Sequence, residues 1–175
     1  MQKISIAIHG GAGTILRSEM SAEKEMAYKE ALQEALDAGY TVLEKGGTAL
    51  DAVEQAVVSL ENCPLFNAAK GSVFNALGGH EMDASIMEGK TKLAGAVCGV
   101  HNIKNPVALA RQVMQQTEHV LLMGEGAMDF AATIGFPFID DDYFYDDFRY
   151  QQWLKIKKKE KFQLDHSDIK DKKFG

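Results

Sequence analysis

The stretch Leu60-Glu61-Asn62-Cys63-Pro64-Leu65-Phe66-Asn67-Ala68-Ala69-Lys70-Gly71 is the most unusual segment of the chain. It follows an apolar helical pattern and contains a proline, so it predicts a helix end followed by a loop with a fixed bend. Such a loop turns several carbonyl oxygens inward, and hard alkali and alkaline-earth cations prefer such ligands. The amide of Asn67 offers a donor and an acceptor for positioning a substrate or a nucleophile. An ordinary connecting loop, with Asn67 as a turn residue, is the alternative.

Two helices are predicted before this loop. The first covers about residues 21–45, with Ser21 as its cap and two glycines at its end. The second begins after Thr48, whose hydroxyl can pair with Asp51 in a capping box, and stops before Pro64. At the start of the chain, residues 3–8 predict a short β-branched strand, and the glycine-rich residues 9–13 predict a sharp turn.

A hairpin and two more helices are predicted after the loop. Residues 82–87 and 92–100 are typical of two strands, with residues 88–91 as the turn between them. Asn105-Pro106 predicts a helix start, with a capping side chain followed by proline at the first helical position. A strand over residues 119–123 and a helix over 124–134 follow. These strands are few for a domain of this size, which indicates part of a sheet that other strands complete.

The composition excludes several classes of protein. The chain has 175 residues, of which 46% are hydrophobic, and this fraction is too high for a disordered protein. No stretch approaches the ~20 apolar residues that span a bilayer, and the first residues are too short for a signal peptide. Two cysteines exclude a disulfide scaffold, so we expect a cytoplasmic protein. The net charge of −6 argues against nucleic acid as a partner, and we expect no membrane association.

The C-terminal segment differs in charge from the rest of the chain. A helix is predicted over residues 149–159, which include Lys155, Lys157, Lys158 and Lys159. A basic arm that binds RNA and a solvated mobile tail both explain these lysines, but no aromatic stacking platform accompanies them. We therefore divide the chain into a core over residues 1–158 and a flexible linker over residues 159–175.

No familiar catalytic motif lies wholly within the chain. It lacks a serine elbow, a phosphate-binding loop, a dinucleotide fingerprint and zinc-ligand spacing, so no organic cofactor is expected. Residues 9–13 are similar to the oxyanion loops of esterases, although a tight turn explains their glycines equally well. Glu81 and Asp83 are candidates for acid–base chemistry or for a solvated strand face. His101 is a candidate general base or a structural histidine.

Taken together, these segments resemble plant-type asparaginases, also called isoaspartyl peptidases, of the N-terminal nucleophile hydrolase superfamily. The chain departs from the family pattern at Ala69, where the family usually has glycine, and at Asn75, where it often has threonine. The matching stretches keep the family's order and cover residues 8–13, 47–53, 61–68, 71–74, 82–87, 94–97, 104–107 and 123–127.

The resemblance implies an α+β fold, the αββα four-layer sandwich, of which this chain is the α subunit. Members of the family are made as one precursor that cuts itself before a threonine, and the new N-terminal threonine is the nucleophile. The end of this chain at Gly175 is similar to that cleavage point. The threonine would then begin a β subunit, and two αβ pairs would assemble as (αβ)2. The implied substrates are L-asparagine and β-aspartyl dipeptides.

The resemblance also assigns supporting roles to residues of this chain. Gly10, Gly11 and Asn67 would lie close to the nucleophile. The loop over residues 60–70 is similar to the family's sodium loop, which would hold Asn67 in place around Na⁺ or a similar cation. Its ligands would be the carbonyl oxygens of Leu60, Glu61, Cys63, Phe66, Ala68 and Lys70.

Three alternatives remain open at this point. A glycosylasparaginase and a protein-cleaving relative belong to the same superfamily, but scarce cysteines disfavour a secreted enzyme. A non-catalytic module that binds an acidic partner through its basic tail belongs to a different class. A threonine at position 176 would favour the enzyme, and a stop codon would favour the module.

Overall fold

A computed structural model describes residues 3–11 and 20–159, and within them it has an α+β fold. The predicted cleavage point at Gly175, the linker beyond Lys159, and Ala12 and Gly13 lie outside the described residues. The elements, in chain order, are α1 (Ala22–Glu44), α2 (Ala49–Glu61), β1 (Met82–Met87), β2 (Ala94–Val100), α3 (Pro106–Gln116), β3 (Leu121–Met123), α4 (Gly124–Thr133) and α5 (Asp147–Lys159).

The first two helices begin where their capping residues predict. The Ser21 side chain accepts a hydrogen bond from the Lys24 backbone N–H at 3.2 Å. At α2, Thr48 Oγ1 accepts from the Asp51 backbone N–H at 3.1 Å, and Asp51 accepts from the Thr48 N–H, which completes a capping box. These bonds satisfy backbone donors that have no partner inside the helix. Both predicted caps are therefore confirmed.

The sheet has three strands in the order β1-β2-β3. Strands β1 and β2 are antiparallel and form the predicted hairpin, whereas β2 and β3 are parallel. Paired residues share a face of the sheet, so the register divides the side chains into two sets. One set includes Ile86 and Val97, which are buried. The other set includes Met87 and Met123, which are exposed.

The core lies between the buried face of the sheet and helices α3 and α4. A Cβ added at Gly95 of β2 would lie 2.1 Å from the Ala110 carbonyl oxygen of α3, so the glycine lets the helix backbone approach the strand. The fully buried side chains of this core include Val97, Val100, Leu109 and Val113. One face of the sheet is therefore covered within this chain.

Residues 3–8 do not form the predicted strand, although their side chains alternate as they would in one. These residues carry no strand assignment, and their burial alternates between exposed and half-buried, as in a strand with one packed face. Ile6 packs against Gly39 of α1, where an added Cβ would lie 2.5 Å from Ile6 Cδ1. A strand also needs hydrogen bonds to a neighbour, and no strand of the described residues pairs with this segment.

None of the helices in the described part of the chain combines the length and the apolar character needed to cross a membrane.

Candidate functional site

The loop after α2 folds tightly on itself. The Cys63 N–H donates to the Leu60 carbonyl at 3.1 Å, and the Ala68 N–H donates to the Phe66 carbonyl at 2.9 Å. A single turn of 3₁₀ helix over Ala69–Gly71 follows, and the Gly71 N–H donates to the Ala68 carbonyl at 3.0 Å. The predicted bend is confirmed, and it turns several peptide groups toward one another.

Gly71 is the most crowded point of this loop. A Cβ at this position would lie 2.0 Å from the Phe66 carbonyl oxygen and 2.6 Å from that of Pro64, which leaves no room for a side chain. Two carbonyl oxygens therefore converge on the Gly71 backbone. The Gly71 carbonyl itself accepts a hydrogen bond from Arg149 Nε at 3.2 Å, across 78 positions of the chain.

Ala69 carries backbone strain. Its φ is +41°, in the left-handed region that favours glycine, and its side chain is buried. An L-residue with a Cβ costs roughly 1–2 kcal/mol in that conformation. The alanine at position 69 therefore occupies a backbone conformation that favours glycine.

Glu61 has a buried side-chain carboxylate, whereas the sequence pointed only to its backbone carbonyl. It is 3% exposed, and its Oε1 accepts from the Val107 backbone N–H at 2.9 Å. Glu61 therefore caps α3 from a distant part of the chain. Burial raises the pKa of Glu61 to about 7, because it outweighs the hydrogen bonds from Val107 and Asn105, which act to lower the pKa.

The predicted capping role of Asn105 is wrong. Pro106 does occupy the start of α3, but the Asn105 side chain makes no capping bond. Its Nδ2 donates instead to Glu61 Oε2 at 3.1 Å and to Asn62 Oδ1 at 3.2 Å. The Glu61 carboxylate accepts the hydrogen bond from the Val107 backbone N–H, which a local cap at Asn105 would otherwise accept.

Asn67 is held at its carbonyl end. Its Oδ1 accepts from the Val73 backbone N–H at 3.0 Å, and the residue is exposed. Within the described residues, its Nδ2 donates to no protein acceptor, so this donor is available to a molecule at the surface. Asn67 lines a pocket of about 230 Å³ together with Glu61, Ala68, Ala69, Ser72, Val73, Glu81, Met82, Asp83 and Pro106.

The glycine turn near the N-terminus lies beside the same loop. A Cβ at Gly10 would lie 3.4 Å from Phe66 Cε1 and 2.9 Å from Leu32 Cδ2. The N–H of Gly11, whose φ is +112°, donates to His9 Nδ1 at 3.1 Å. The structure therefore brings Gly10 into the neighbourhood of Phe66, one residue before Asn67.

The cation ligands stay a prediction, and it is the chemistry of their donor set, six backbone carbonyl oxygens, that suits a hard cation. The carbonyls of Leu60, Phe66 and Ala68 each accept a backbone hydrogen bond, and a carbonyl oxygen has a second lone pair for a cation. The described residues contain no group of three or more His, Cys, Asp or Glu arranged for a metal. Backbone oxygens are the donor set that a hard cation such as Na⁺ accepts.

Ser72 and His80 form a second buried pair that sequence reasoning missed. Ser72 Oγ lies 3.0 Å from His80 Nδ1, and both residues are at most 4% exposed. The His80 ring packs on Phe74 with centroids 4.3 Å apart. Burial lowers the pKa of His80 below its ordinary value of 6.5. Burial therefore disfavours the protonated form of this histidine beside the loop.

We predict that His80→Asn reduces the loss of stability in acid. Because the pKa of His80 is lowered in the folded protein, the unfolded chain binds the proton more readily, and the free energy of unfolding falls as pH drops below 6.5. Asparagine keeps a polar group near Ser72 but does not titrate. Urea unfolding between about pH 5 and pH 7.5 measures the slope. An unchanged slope in the variant would contradict the assignment.

The other candidates have structural partners. Asp83 Oδ1 accepts from the Gly99 backbone N–H at 2.8 Å, which ties β1 to β2. His101 Nδ1 lies 2.7 Å from Asn102 Oδ1, and the Asn102 amide donates to the Ile139 carbonyl. Asp83 borders the pocket with Glu81, whereas His101 does not line it. The structural interpretation of His101 is therefore favoured.

Comparison with known proteins identifies the family. A family model described as asparaginase matches residues 1–174. The chain belongs to this asparaginase family. Among its relatives, the isoaspartyl peptidases of Salmonella typhimurium and Escherichia coli are each 48% identical over 167 residues. These matches cover 95% of this chain and 53% and 52% of the two relatives, respectively.

A third relative gives the same picture. The plant-type L-asparaginase of Pyrococcus abyssi is 49% identical over 156 residues, which are 89% of this chain and 48% of that protein. The chain thus spans about half the length of the curated relatives it matches. The family resemblance inferred from the sequence is confirmed.

Proposed function

We propose that this chain is the α subunit of an amidohydrolase that cleaves β-aspartyl dipeptides and L-asparagine. The observation that carries the proposal is a half-built site. The loop that holds Asn67 lies beside Gly10, and the threonine nucleophile that the family resemblance implies would have to come from the other half of the site. The relatives named isoaspartyl peptidase and plant-type L-asparaginase are about twice as long, which leaves room for the rest of the site.

The uncovered face of the sheet supports completion by a β subunit. Met87, Leu121 and Met123 are 58%, 51% and 66% exposed, and the strand register places them on one face. Large apolar side chains grouped on a sheet face favour packing against another layer. A second sheet from the β subunit, with its own outer helices, would complete the αββα four-layer sandwich.

The proposed nucleophile forms when the precursor is cut after Gly175. Before cleavage the threonine nitrogen is an amide and cannot act as a base. Attack of the threonine hydroxyl on the Gly175 carbonyl, followed by an N-to-O acyl shift and hydrolysis of the ester, frees the α-amine. That amine has a reference pKa of about 7.7–8.0, so part of it is neutral at pH 7. Glycine suits the acyl side because it places no side chain in the path of attack.

The same amine then serves in turnover. It takes the proton of the threonine hydroxyl as the oxygen attacks the side-chain carbonyl of asparagine or the isopeptide carbonyl of a β-aspartyl dipeptide. The C–N bond breaks, ammonia or an amine leaves with the proton, and an acyl-enzyme remains. Water then attacks the ester and releases aspartate.

The residues of this chain support that chemistry by position. Asn67 would present its Nδ2 donor at the edge of the site, since its Oδ1 is held by the Val73 N–H. Gly10 and Gly11 would let the backbone approach the nucleophile closely. A sodium ion, or a similar cation, would bind the carbonyls of the 60–70 loop and fix its fold. We further propose an (αβ)2 assembly in the cytoplasm, with no nucleic acid or membrane partner.

An intact-mass measurement of the complete gene product tests the proposal. We predict two fragments, one of 19.2 kDa that corresponds to residues 1–175 and one that begins with threonine. The purified protein should release ammonia from L-asparagine and an amino acid from a β-aspartyl dipeptide. A gene that ends after Gly175, or an uncut product with full activity, would contradict the proposal. Hydrolysis of an added glycosylated asparagine, without hydrolysis of these two substrates, would point to the glycosylasparaginase.

A further inference from the structure

The helix that leads to the predicted cleavage point contacts the loop that carries Asn67. Arg149 lies in the first turn of α5, and it is only 3% exposed despite its charge. Its backbone N–H donates to Asp146 Oδ1 at 2.9 Å, and its Nη1 donates to Gln152 Oε1 at 3.2 Å. Burying a guanidinium is costly unless its N–H donors are satisfied. The Arg149 side chain is therefore held where hydrogen-bond acceptors are in reach.

The Arg149 side chain contacts the segment of residues 67–73. Arg149 Nε donates to the Gly71 carbonyl at 3.2 Å. The ends of the segment are joined by the Asn67 Oδ1 bond to the Val73 N–H, so Gly71 lies inside a small closed ring of chain. The orientation of the Gly71 carbonyl sets the direction of the peptide groups that lead to Val73. Arg149 therefore holds the backbone that in turn holds the Asn67 side chain.

A second contact between α5 and this region lies just after Val73. The Phe74 ring packs against Tyr150 and Trp153 of α5, with centroids 5.6 Å and 6.0 Å apart. Trp153 also lies 3.2 Å from the position of a Cβ at Gly78. Helix α5 thus touches the chain on both sides of Val73, at Gly71 and at Phe74. Aromatic contacts of this kind fix the distance between the elements, and the charged hydrogen bond fixes the carbonyl.

We propose that Arg149 is a positioning residue for Asn67 and acts through the Gly71 carbonyl. By this arrangement, the segment that precedes the cleavage point also sets the geometry of the site. The inference rests on the proposed function, because it needs Asn67 to contribute to hydrolysis. It adds a residue of helix α5, which is not among the residues that line the pocket, to the machinery of the site.

A double-mutant cycle on the complete gene product tests this inference. The variants are Asn67→Ala, Arg149→Met and the two together, with kcat and KM measured on a β-aspartyl dipeptide. We expect Arg149→Met to lower kcat about tenfold, since loss of alignment affects the reacting geometry more than substrate binding, and to change KM by less than about twofold. In the Asn67→Ala background, the same substitution should change kcat by less than about twofold.

Two further variants separate positioning from general stability. Arg149→Lys keeps a positive charge and an N–H donor group, and it should retain more of kcat than Arg149→Met does. It also serves if Arg149→Met yields too little folded protein to assay. In that case the cycle is run with Arg149→Lys. Lys155→Met is the matched control, because Lys155 is an exposed cation on the same helix and its loss should leave kcat unchanged. Intact mass and the thermal midpoint are recorded for each variant to separate cleavage and unfolding from turnover.

The outcomes distinguish the two claims. Equal fold-losses from the Arg149 substitution in both backgrounds would overturn the positioning role and leave the proposed function intact. A raised KM with unchanged kcat would overturn it as well. If Asn67→Ala has the activity of the parent protein, the proposed role of Asn67 fails, and the inference about Arg149 fails with it.

Discussion

Asn67→Ala should slow hydrolysis of a β-aspartyl dipeptide about 100-fold, the order of loss expected when reacting groups are displaced by about 1 Å. Asn67 lies at the rim of the pocket, and its Oδ1 is already used by the Val73 N–H. The Nδ2 donor is the part of the side chain that remains for the substrate or for the threonine. Steady-state kinetics on the cleaved, assembled protein measure the effect.

Asn67→Asp distinguishes the contribution of the amide oxygen of Asn67 from that of its Nδ2 donor. Aspartate keeps the acceptor for the Val73 N–H but replaces the Nδ2 donor with an oxygen, so the loop should stay folded while activity falls as far as in the alanine variant. Both proteins should assemble and melt close to the parent protein, because Asn67 is exposed. Parent-like turnover of Asn67→Ala in the intact assembly would show that Asn67 has no part in catalysis.

Local patterns predicted the local structure of this chain. Ser21 and Thr48 cap the helices that follow them, since a capping bond joins residues only three positions apart. Pro64 predicted the bend after α2, and residues 88–91 predicted the hairpin turn. Each of these signals depends only on residues a few positions apart, so the sequence alone contains it.

The interactions that assemble the site join distant residues, and the sequence did not reveal them. Glu61 caps α3 across 46 positions, and Arg149 reaches Gly71 across 78. A charged residue at the end of an apolar helix, such as Glu61, is a weak signal, because most such residues are solvated. The predicted strand over residues 3–8 shows the same limit, since its alternation is present but its partner strand is not among the described residues.

The exposed face of the sheet leads to the second large effect. We predict that Leu121→Glu together with Met123→Glu abolishes assembly with the β subunit while leaving the helices of this chain folded. Both side chains are more than half exposed here, so a carboxylate on them stays hydrated in the isolated chain. Covering them with a second sheet would bury two unpaired charges, each at a cost of several kcal/mol, which corresponds to a loss of more than 100-fold in association.

The measurement is co-purification of the two fragments, expressed separately and mixed, with circular dichroism of this chain alone as the check on folding. Met26→Glu is the matched control, because Met26 is 60% exposed on helix α1, away from the sheet. A charge there should leave assembly unchanged, so any general effect of added negative charge appears in both variants. If the sheet variant assembles as well as the control, the face formed by Met87, Leu121 and Met123 is not the surface that the β subunit covers. The β subunit would then contact this chain elsewhere, for example by adding strands beside β1 or β3, whose outer edges pair with no other strand of the described residues.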